Sequence, residues 1–427
     1  MPDGTATAHL YRPKLATILA EGYGLRDLRQ DAMAGLTVAI LALPLSMAIA
    51  VASGVSPDRG LYTAIIGGFL VSALGGSRYQ IGGPAGAFIV LVSATVAKFG
   101  VEGLVLTVLL SGAMLALVGA LRLGALIRHI PHAVTVGFTA GIAVTIFASQ
   151  IKDLAGLKLA GAEPGPVLPK LVALGHAAPS LNPSALLLGV AVAAVILGLR
   201  ALRPGWPGML VAVVAATLAA TFLHLPVETI GSRFGGIPQG LPAPRLPAVS
   251  WPLLVAVFPS ALSFTLLGGL ESLLSAKVAD GMTGRVHRSN MELVAQGLAN
   301  IVSALFGGIS VTGTIARTAA NIRAGARSPI AGMLHAAFLL GFMLVAAPLA
   351  SYVPLAALAG LLVVVAWNMA ERREFASLLT NWRAGAVLLA TFGLTILHDL
   401  MAGIVAGCGL AALFWVGSRL HRKVMRP

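Results

Sequence analysis

Two charged residues lie inside long apolar stretches of this 427-residue chain, and they are the strongest candidates for chemistry. Glu271 lies in the apolar stretch 253–276, and Arg317 lies in the stretch 312–324. A charge at the centre of a bilayer costs at least about 2.5 kcal/mol on insertion scales, so its retention indicates either pairing or function. Arg317 is therefore predicted to hold an anion. A carboxylate in a membrane can take up and release a proton, so Glu271 is predicted to couple transport to protons.

Each of these two residues has a structural alternative. Arg317 and Glu271 could form a permanent ion pair, or Arg317 could extend its guanidinium to the membrane surface. Enzymatic chemistry has little support, because the chain contains no Walker, HExxH or GxSxG motif and only one cysteine, Cys408. The sequence therefore predicts no enzyme, no cofactor and no metal site, and His335 is assigned no role.

Two short, glycine-rich segments are predicted to position an anion beside Arg317. They follow 81–87 (Ile-Gly-Gly-Pro-Ala-Gly-Ala) and 307–313 (Gly-Gly-Ile-Ser-Val-Thr-Gly), and each is too short to cross a bilayer. Non-helical backbone at membrane depth is tolerated only where it is buried or lines a cavity. Two helix N-termini, each with a partial positive charge, would then meet near the midplane and form an anion site. Alternatively, the glycines only allow close helix packing.

The composition identifies the elements that must carry these residues as membrane helices. Hydrophobic residues make up 57% of the chain and charged residues only 10%, with a mean hydropathy of +0.91. This excludes a water-soluble globular protein, because charged residues cannot cover its surface. The net charge of +14 comes from basic residues between apolar segments, which act as topology signals and indicate no nucleic acid. The apolar segments are 33–53, 61–74, 84–97, 103–121, 131–151, 185–199, 208–223, 253–276, 291–306, 312–324, 329–350, 354–370, 384–397 and 400–417.

The two halves of the chain resemble each other. Three pairs of features align: 33–53 with 258–281, 81–87 with 307–313, and 130–132 with 353–355. Seven segments separate the copies, so the halves are predicted to insert with opposite topology as a seven-plus-seven inverted repeat. Lys and Arg concentrate in the loops on the side of both termini, which predicts that both termini are cytoplasmic in a multi-pass plasma (inner) membrane protein. The predicted units are a cytoplasmic segment 1–30, the first repeat 31–225, a linker 226–252, the second repeat 253–418 and a cytoplasmic end 419–427.

Several motifs carry a family resemblance. They are Leu43-Pro44-Leu45-Ser46-Met47-Ala48-Ile49-Ala50, Ser53-Gly54-Val55-Ser56-Pro57, Gly75-Gly76-Ser77-Arg78, Gly83-Pro84, Ala279-Asp280-Gly281-Met282-Thr283, Asn290-Met291-Glu292-Leu293 and Arg317-Thr318-Ala319. With these motifs the chain resembles the sulfate permease (SulP) family of anion transporters over nearly its whole length. The resemblance implies an all-α membrane protein of fourteen segments, in which a core domain moves against a gate domain.

The resemblance also implies a substrate site between the first and third segments and their mirrors, the eighth and tenth. The positions that would face the substrate are Leu45, Ile49, Ala85, Gly86, Ile315, Ala316 and Arg317. Glu271 takes the place of the acidic residue that is tied to cation coupling in the family. A homodimer is implied as well, and a C-terminal cytoplasmic regulatory domain of the family is expected to be absent, since this chain ends at Pro427.

Departures from the family pattern suggest a substrate. Many members have Gln and an aromatic residue where this chain has Leu45 and Ile49, and the pattern here looks more like the bacterial subgroup that carries bicarbonate or C4-dicarboxylates. Glu271 in place of Asp suggests protons over sodium. We therefore expect proton-coupled symport of a C4-dicarboxylate such as fumarate. Bicarbonate or sulfate transport, an anion channel on the same fold, and a nucleobase permease of similar fold stay open as alternatives.

Overall fold

The computed structural model describes residues 11–124, 131–161, 163–164, 166–398 and 400–424. The first half contains helices α1 (Lys14–Glu21), α2 (Leu25–Ala52), α3 (Pro57–Tyr62), α4 (Gly68–Leu74), α5 (Ile89–Ala120), α6 (His132–Leu154), α7 (Val167–Ala177), α8 (Pro183–Leu202) and α9 (Gly208–Phe222), with strand β1 (Gly82–Gly83). The second half contains α10 (Ile230–Phe234), α11 (Trp251–Thr283), α12 (Ser289–Leu305), strand β2 (Thr312–Gly313), α13 (Ile315–Arg323), α14 (Ile330–Ala350), α15 (Leu355–Met369), α16 (Arg372–Leu379), α17 (Trp382–Leu397) and α18 (Leu400–Val424).

The helices follow the apolar segments, and the predicted all-α membrane fold is confirmed. Seven helical stretches in the described part of the chain are long and apolar enough to cross a bilayer alone. The other segments are shorter or broken, as the sequence predicts for the two glycine-rich ones. The third and fourth segments meet within α5 at Gly100, where the backbone leaves helical geometry with a φ of 68°. Glycine adopts this left-handed conformation without a steric penalty, so α5 consists of two helical parts with a turn between them.

Two groups of helices pack side by side. The first group, which we call the core group, is built around α2, α5, α11, α12, α13 and α14; the second, the gate group, is built around α6, α8, α15, α17 and α18. Glycines bring the helix backbones together in each group. A Cβ atom on Gly297 would lie 2.5 Å from the Gly112 carbonyl oxygen, and one on Gly360 would lie 2.2 Å from the Gly189 carbonyl oxygen. Such close approach is how helices associate where the surrounding lipid provides no hydrophobic drive.

The connection between the two repeats is more ordered than its Pro- and Gly-rich composition indicates. It contains α10, and its backbone pairs with the turn between α14 and α15. Ile230 N–H donates to the Val353 carbonyl at 2.9 Å, and Leu355 N–H donates to the Glu228 carbonyl at 2.9 Å. These bonds satisfy backbone groups that would otherwise lie unpaired at the membrane surface. The exact limits of the two repeats stay a prediction.

Candidate anion site

Two broken helices meet at the centre of the core group. Strands β1 and β2 pair antiparallel, with Gly82 opposite Gly313 and Gly83 opposite Thr312. Each strand leads directly into a helix, through Ala85 in the first half and through Thr314 in the second. Because the N–H groups of a first helical turn have no intrahelical acceptor, two sets of unpaired donors converge here. With the two helix dipoles they create a positive potential without any side chain.

Arg317 adds a full positive charge at this junction. It is the third residue of α13, and only 3% of its surface is exposed. Its Nη2 donates to the Ser46 hydroxyl on α2 at 3.1 Å. Its Nε and Nη1 have no hydrogen-bond partner among the described residues. Buried donors of a cation are costly to leave unpaired, so an anion beside the guanidinium would supply the missing acceptor.

Gly83 makes room for the guanidinium. Its φ is 155°, a conformation that side-chain-bearing residues rarely adopt. A Cβ atom at this position would lie 2.2 Å from Arg317 Nη1, well inside contact distance. Strand β1 of the first repeat therefore packs directly against the Arg317 guanidinium of the second repeat. This contact explains why the first broken helix needs a glycine at that point.

Glu271 does not pair with Arg317. It lies on α11 and is partly exposed, and it forms neither a hydrogen bond nor an ion pair with any residue that the structure describes. The alternative of a permanent Glu271–Arg317 ion pair is therefore wrong in this structure. The alternative of an Arg317 side chain extended to the membrane surface is also wrong, because that side chain is buried against Ser46.

Hydroxyl groups beside Glu271 fix α11 to the broken helix of the second repeat. The Ser272 and Thr312 hydroxyls lie 2.9 Å apart. One turn further, the Ser275 hydroxyl donates to Thr318 Oγ1 at 3.1 Å, and Thr318 Oγ1 also accepts the Ile81 N–H at 3.1 Å. The carboxylate of Glu271 is thus carried by a helix that is hydrogen-bonded to the second broken segment, which is itself bonded to the first through Thr318 and Ile81.

The residues predicted to face the substrate fall around this junction. Leu45 and Ile49 lie on α2, on either side of Ser46, and Ile49 is buried while Leu45 is partly exposed. Ile315 and Ala316 open α13 and are exposed. Ala85 is buried at the entry to the first broken helix. These positions therefore lie on the two broken segments and on α2, the helix that packs against α13.

Gly86 places the site between the two helix groups. A Cβ atom at this position would lie 3.3 Å from Met369 Sδ on α15 and 3.7 Å from Ile146 Cδ1 on α6. Both of these partners belong to the gate group, whereas Gly86 follows β1 in the core group. A ligand bound at the broken helices would therefore lie where the two groups face each other.

Some polar residues near the site were not predicted from the sequence. Ser46 lies in a recognised motif, but nothing local marks it as the partner of Arg317. Gln80 and His335 are buried, and their side-chain nitrogens have no partner among the described residues. The sequence does contain a signal for His335, because it is a polar residue within an apolar segment. A cavity of about 370 Å³ lies elsewhere, near the end of α9, and its lining residues include none of the predicted site residues.

Comparison with known proteins identifies relatives along almost the whole chain. The family model described as the sulfate permease family matches residues 28–391. The Bacillus subtilis protein YvdB, which carries a provisional name as a sulfate transporter, is 43% identical over 95% of this chain and 78% of its own length. The bicarbonate transporter BicA of Picosynechococcus is 31% identical over 90% of this chain and 70% of its own length.

Solved structures have the same architecture. The transmembrane domain of a cyanobacterial BicA matches with a TM-score of 0.81 and 32% identity, covering 89% of this chain and 98% of that domain. The murine Solute Carrier 26 family member A9 matches with a TM-score of 0.86 over 98% of this chain and 73% of its own, at 18% identity, which shows a shared fold alone. The fourteen-segment inverted repeat agrees with these membrane-transporter folds.

Proposed function

The chain belongs to the sulfate permease family of anion transporters, and from that premise we propose that it is a secondary active transporter that carries its anion by alternating access. One observation carries the proposal. Arg317 is buried where two helix N-termini meet, and two of its nitrogens have no partner among the described residues. An anion bound there lies between the core and gate groups, so movement of one group against the other exposes it to either side of the membrane.

We propose that Glu271 couples transport to protons. A bare carboxylate is costly to move through a low-dielectric region, whereas a protonated one is neutral. Glu271 lies on α11, which is hydrogen-bonded to the anion-binding broken helix through Ser272 and Ser275. Protonation of Glu271 and binding of the anion therefore both act on one unit, which consists of α11 and the broken helix bonded to it. Symport follows if this unit moves readily only when both the anion and the proton are bound.

We propose a C4-dicarboxylate such as fumarate as the substrate. A carboxylate can accept hydrogen bonds from Arg317 and from the first-turn N–H groups of the broken helices. The side chains of Leu45 and Ile49 supply an apolar wall for the carbon chain between the two carboxylates. Bicarbonate or sulfate is the second candidate, favoured by the names of the relatives. We further propose a homodimer with both termini on the cytoplasmic side of the plasma membrane.

Uptake into liposomes tests the anion site. Labelled fumarate, bicarbonate and sulfate are offered separately to the reconstituted protein, with and without an inward proton gradient. We expect saturable fumarate uptake that Arg317→Ala abolishes, while Arg373→Gln, which removes an exposed cation from α16, leaves it unchanged. Uptake of bicarbonate or sulfate alone would keep the anion site and overturn the proposed substrate. A large current that does not saturate would favour a channel.

A second variant tests the coupling. Glu271→Gln keeps the size of the side chain and removes its proton chemistry. We expect this variant to bind fumarate but to lose the acceleration that an inward proton gradient gives to wild-type uptake. If proton-driven uptake persists in Glu271→Gln, the coupling group lies elsewhere. Wild-type uptake that a proton gradient does not change would refute symport with protons.

A further inference from the structure

The short helix α1 lies outside the fourteen apolar segments. Its sequence, Lys-Leu-Ala-Thr-Ile-Leu-Ala-Glu, begins with a cation, ends with a carboxylate and is apolar between them except for Thr17. Ile18 is buried against the protein, whereas 57% of the Leu19 surface is exposed. A helix that hides one apolar residue in the protein and leaves another outside is suited to the boundary between headgroups and acyl chains.

Hydrogen bonds fasten this helix and the residues before it to the core group. Lys14 N–H donates to the Gly75 carbonyl at 2.9 Å, after the end of α4. Arg288, which precedes α12, donates through Nη1 to the Arg12 carbonyl at 2.6 Å. The Tyr11 hydroxyl donates to the Ala120 carbonyl at 2.8 Å, at the end of α5. The three attachment points lie at the ends of α4, α5 and α12, and α5 and α12 belong to the core group.

More basic than acidic side chains surround α1 where it is attached to the protein. Arg12, Lys14, Arg78 and Arg288 come together around α1, and Arg78 forms an ion pair with Glu21 at 2.6 Å. Partial burial lowers the pKa of the Lys14 ammonium, and the nearby charges of Arg288 and Arg78 lower it further. Burial and the charges of Arg12 and Arg78 likewise lower the pKa of Arg288. These cations therefore repel one another across a small surface.

The second carboxylate near this cluster is already engaged. Asp280 lies 2.6 Å from His287 Nδ1 and accepts the His287 N–H at 3.1 Å. Exposed apolar side chains lie on α1 and at the start of the next helix: Leu19 on α1, and Leu25, the first residue of α2, with 85% of its surface exposed. A cationic cluster next to exposed leucines matches a ligand that has an anionic head and an apolar tail.

We propose that α1 and the cluster of Arg12, Lys14, Arg78 and Arg288 form a docking site for the phosphate headgroup of an anionic phospholipid. The acyl chains then lie along Leu19 and Leu25, at the start of α2. Because α1 is fastened to the core group, a bound lipid tethers that group to one leaflet. This inference does not depend on which anion is carried, and its test needs no transport assay, so it can fail independently of the proposed function.

Lipid binding to the purified protein in a neutral detergent tests the proposal. Short-chain phosphatidylglycerol and phosphatidylcholine are titrated separately, and native mass spectrometry counts the bound molecules. We expect phosphatidylglycerol to bind more tightly than phosphatidylcholine. The double variant Arg12→Gln/Lys14→Gln should weaken phosphatidylglycerol binding about thirtyfold, which is about fivefold for each basic residue. Both substitutions keep the hydrogen bonds that fasten α1 to the core group, because those bonds use the backbone of residues 12 and 14. Arg12→Gln removes only the bond from Arg12 Nη2 to the Ala16 carbonyl within α1.

Three further experiments test whether the bound molecule is an anionic phospholipid. Arg203→Gln/Arg373→Gln removes the same charge from exposed positions elsewhere and should leave binding unchanged. Leu19→Gln alters no charge and should weaken phosphatidylglycerol binding through the lost apolar contact. Glycerol phosphate, the soluble counterpart of the headgroup, should compete poorly. Equal competition by glycerol phosphate, equal affinity for both lipids, or equal losses in the two double variants would each overturn the proposal.

Discussion

Replacing Ser46 with alanine tests whether the orientation of Arg317 sets the affinity for the anion. The Ser46 hydroxyl is the acceptor for Nη2 of the guanidinium, at 3.1 Å, and Ser46 is fully buried. The backbone there is held firmly, because a Cβ atom on Gly60 would lie only 2.0 Å from the Ser46 carbonyl oxygen. The substitution therefore removes one acceptor without moving the helix, and it frees the guanidinium to turn away from the site.

The size of the effect follows from the hydrogen bond that is lost. A hydrogen bond to a charged group contributes about 1.5–3 kcal/mol, and no water reaches a fully buried position to replace it. The bound anion must then reorder the guanidinium at a similar cost in binding free energy. Since 1.4 kcal/mol is tenfold in affinity, we expect the KM for uptake to rise roughly ten- to hundredfold. The maximal rate should stay within about twofold, because the bond does not change as the helix groups move.

Uptake kinetics in liposomes measure both quantities. Ser53→Ala is the matched control: Ser53, which caps the C-terminal end of the same helix, is also fully buried, but its hydroxyl donates to the Ile49 carbonyl at 2.7 Å. Ser46→Thr keeps the hydroxyl and should retain most of the wild-type affinity. The reasoning is refuted if Ser46→Ala lowers thermal stability while its KM stays at the wild-type value, or if Ser53→Ala raises KM as much.

Three further substitutions test the surroundings of single residues. Gly83→Ala should abolish uptake while the protein still inserts, because the new methyl group would lie 2.2 Å from Arg317 Nη1; wild-type KM would contradict this. Glu292→Ala should lower the free energy of unfolding by about 2–4 kcal/mol, since it leaves two buried backbone N–H groups without their acceptor; an unchanged unfolding midpoint in detergent would contradict it. Gly198→Ala should raise that midpoint slightly, by about 0.5–1 kcal/mol of stability, because no atom lies within 4 Å of the new Cβ; a lower midpoint would refute it.

The membrane class and the helical segments could be predicted from the sequence because they depend on local properties. Length and apolarity decide whether a segment can cross a bilayer, and the chain carries both as runs of neighbouring residues. The two broken helices were recognisable for the same reason, since glycines in a short apolar segment disfavour a continuous span. That their N-termini meet was predicted from the inverted repeat, whereas their antiparallel pairing as β1 and β2 was not predicted.

Only part of the candidate site could be predicted from the sequence. Arg317 and Glu271 stand out because a charge inside an apolar segment is costly wherever that segment lies. Their partners depend on contacts between distant segments: Ser46 is 271 positions from Arg317, and the local sequence of Ser46 does not indicate the bond. The same limit explains why an ion pair between the two charged residues could be neither predicted nor dismissed.

The sequence by itself determined that this protein is a helical membrane protein with a cation and a carboxylate at membrane depth. Only the tertiary structure decided that Arg317 packs against Gly83 and donates a hydrogen bond to Ser46. It also decided that two nitrogens of Arg317 have no partner among the described residues and that Glu271 is not its counter-ion. It also decided that α1 is fastened to the core group. The physical reason is that hydropathy and insertion cost are properties of a segment, whereas hydrogen-bond partners depend on how the segments pack.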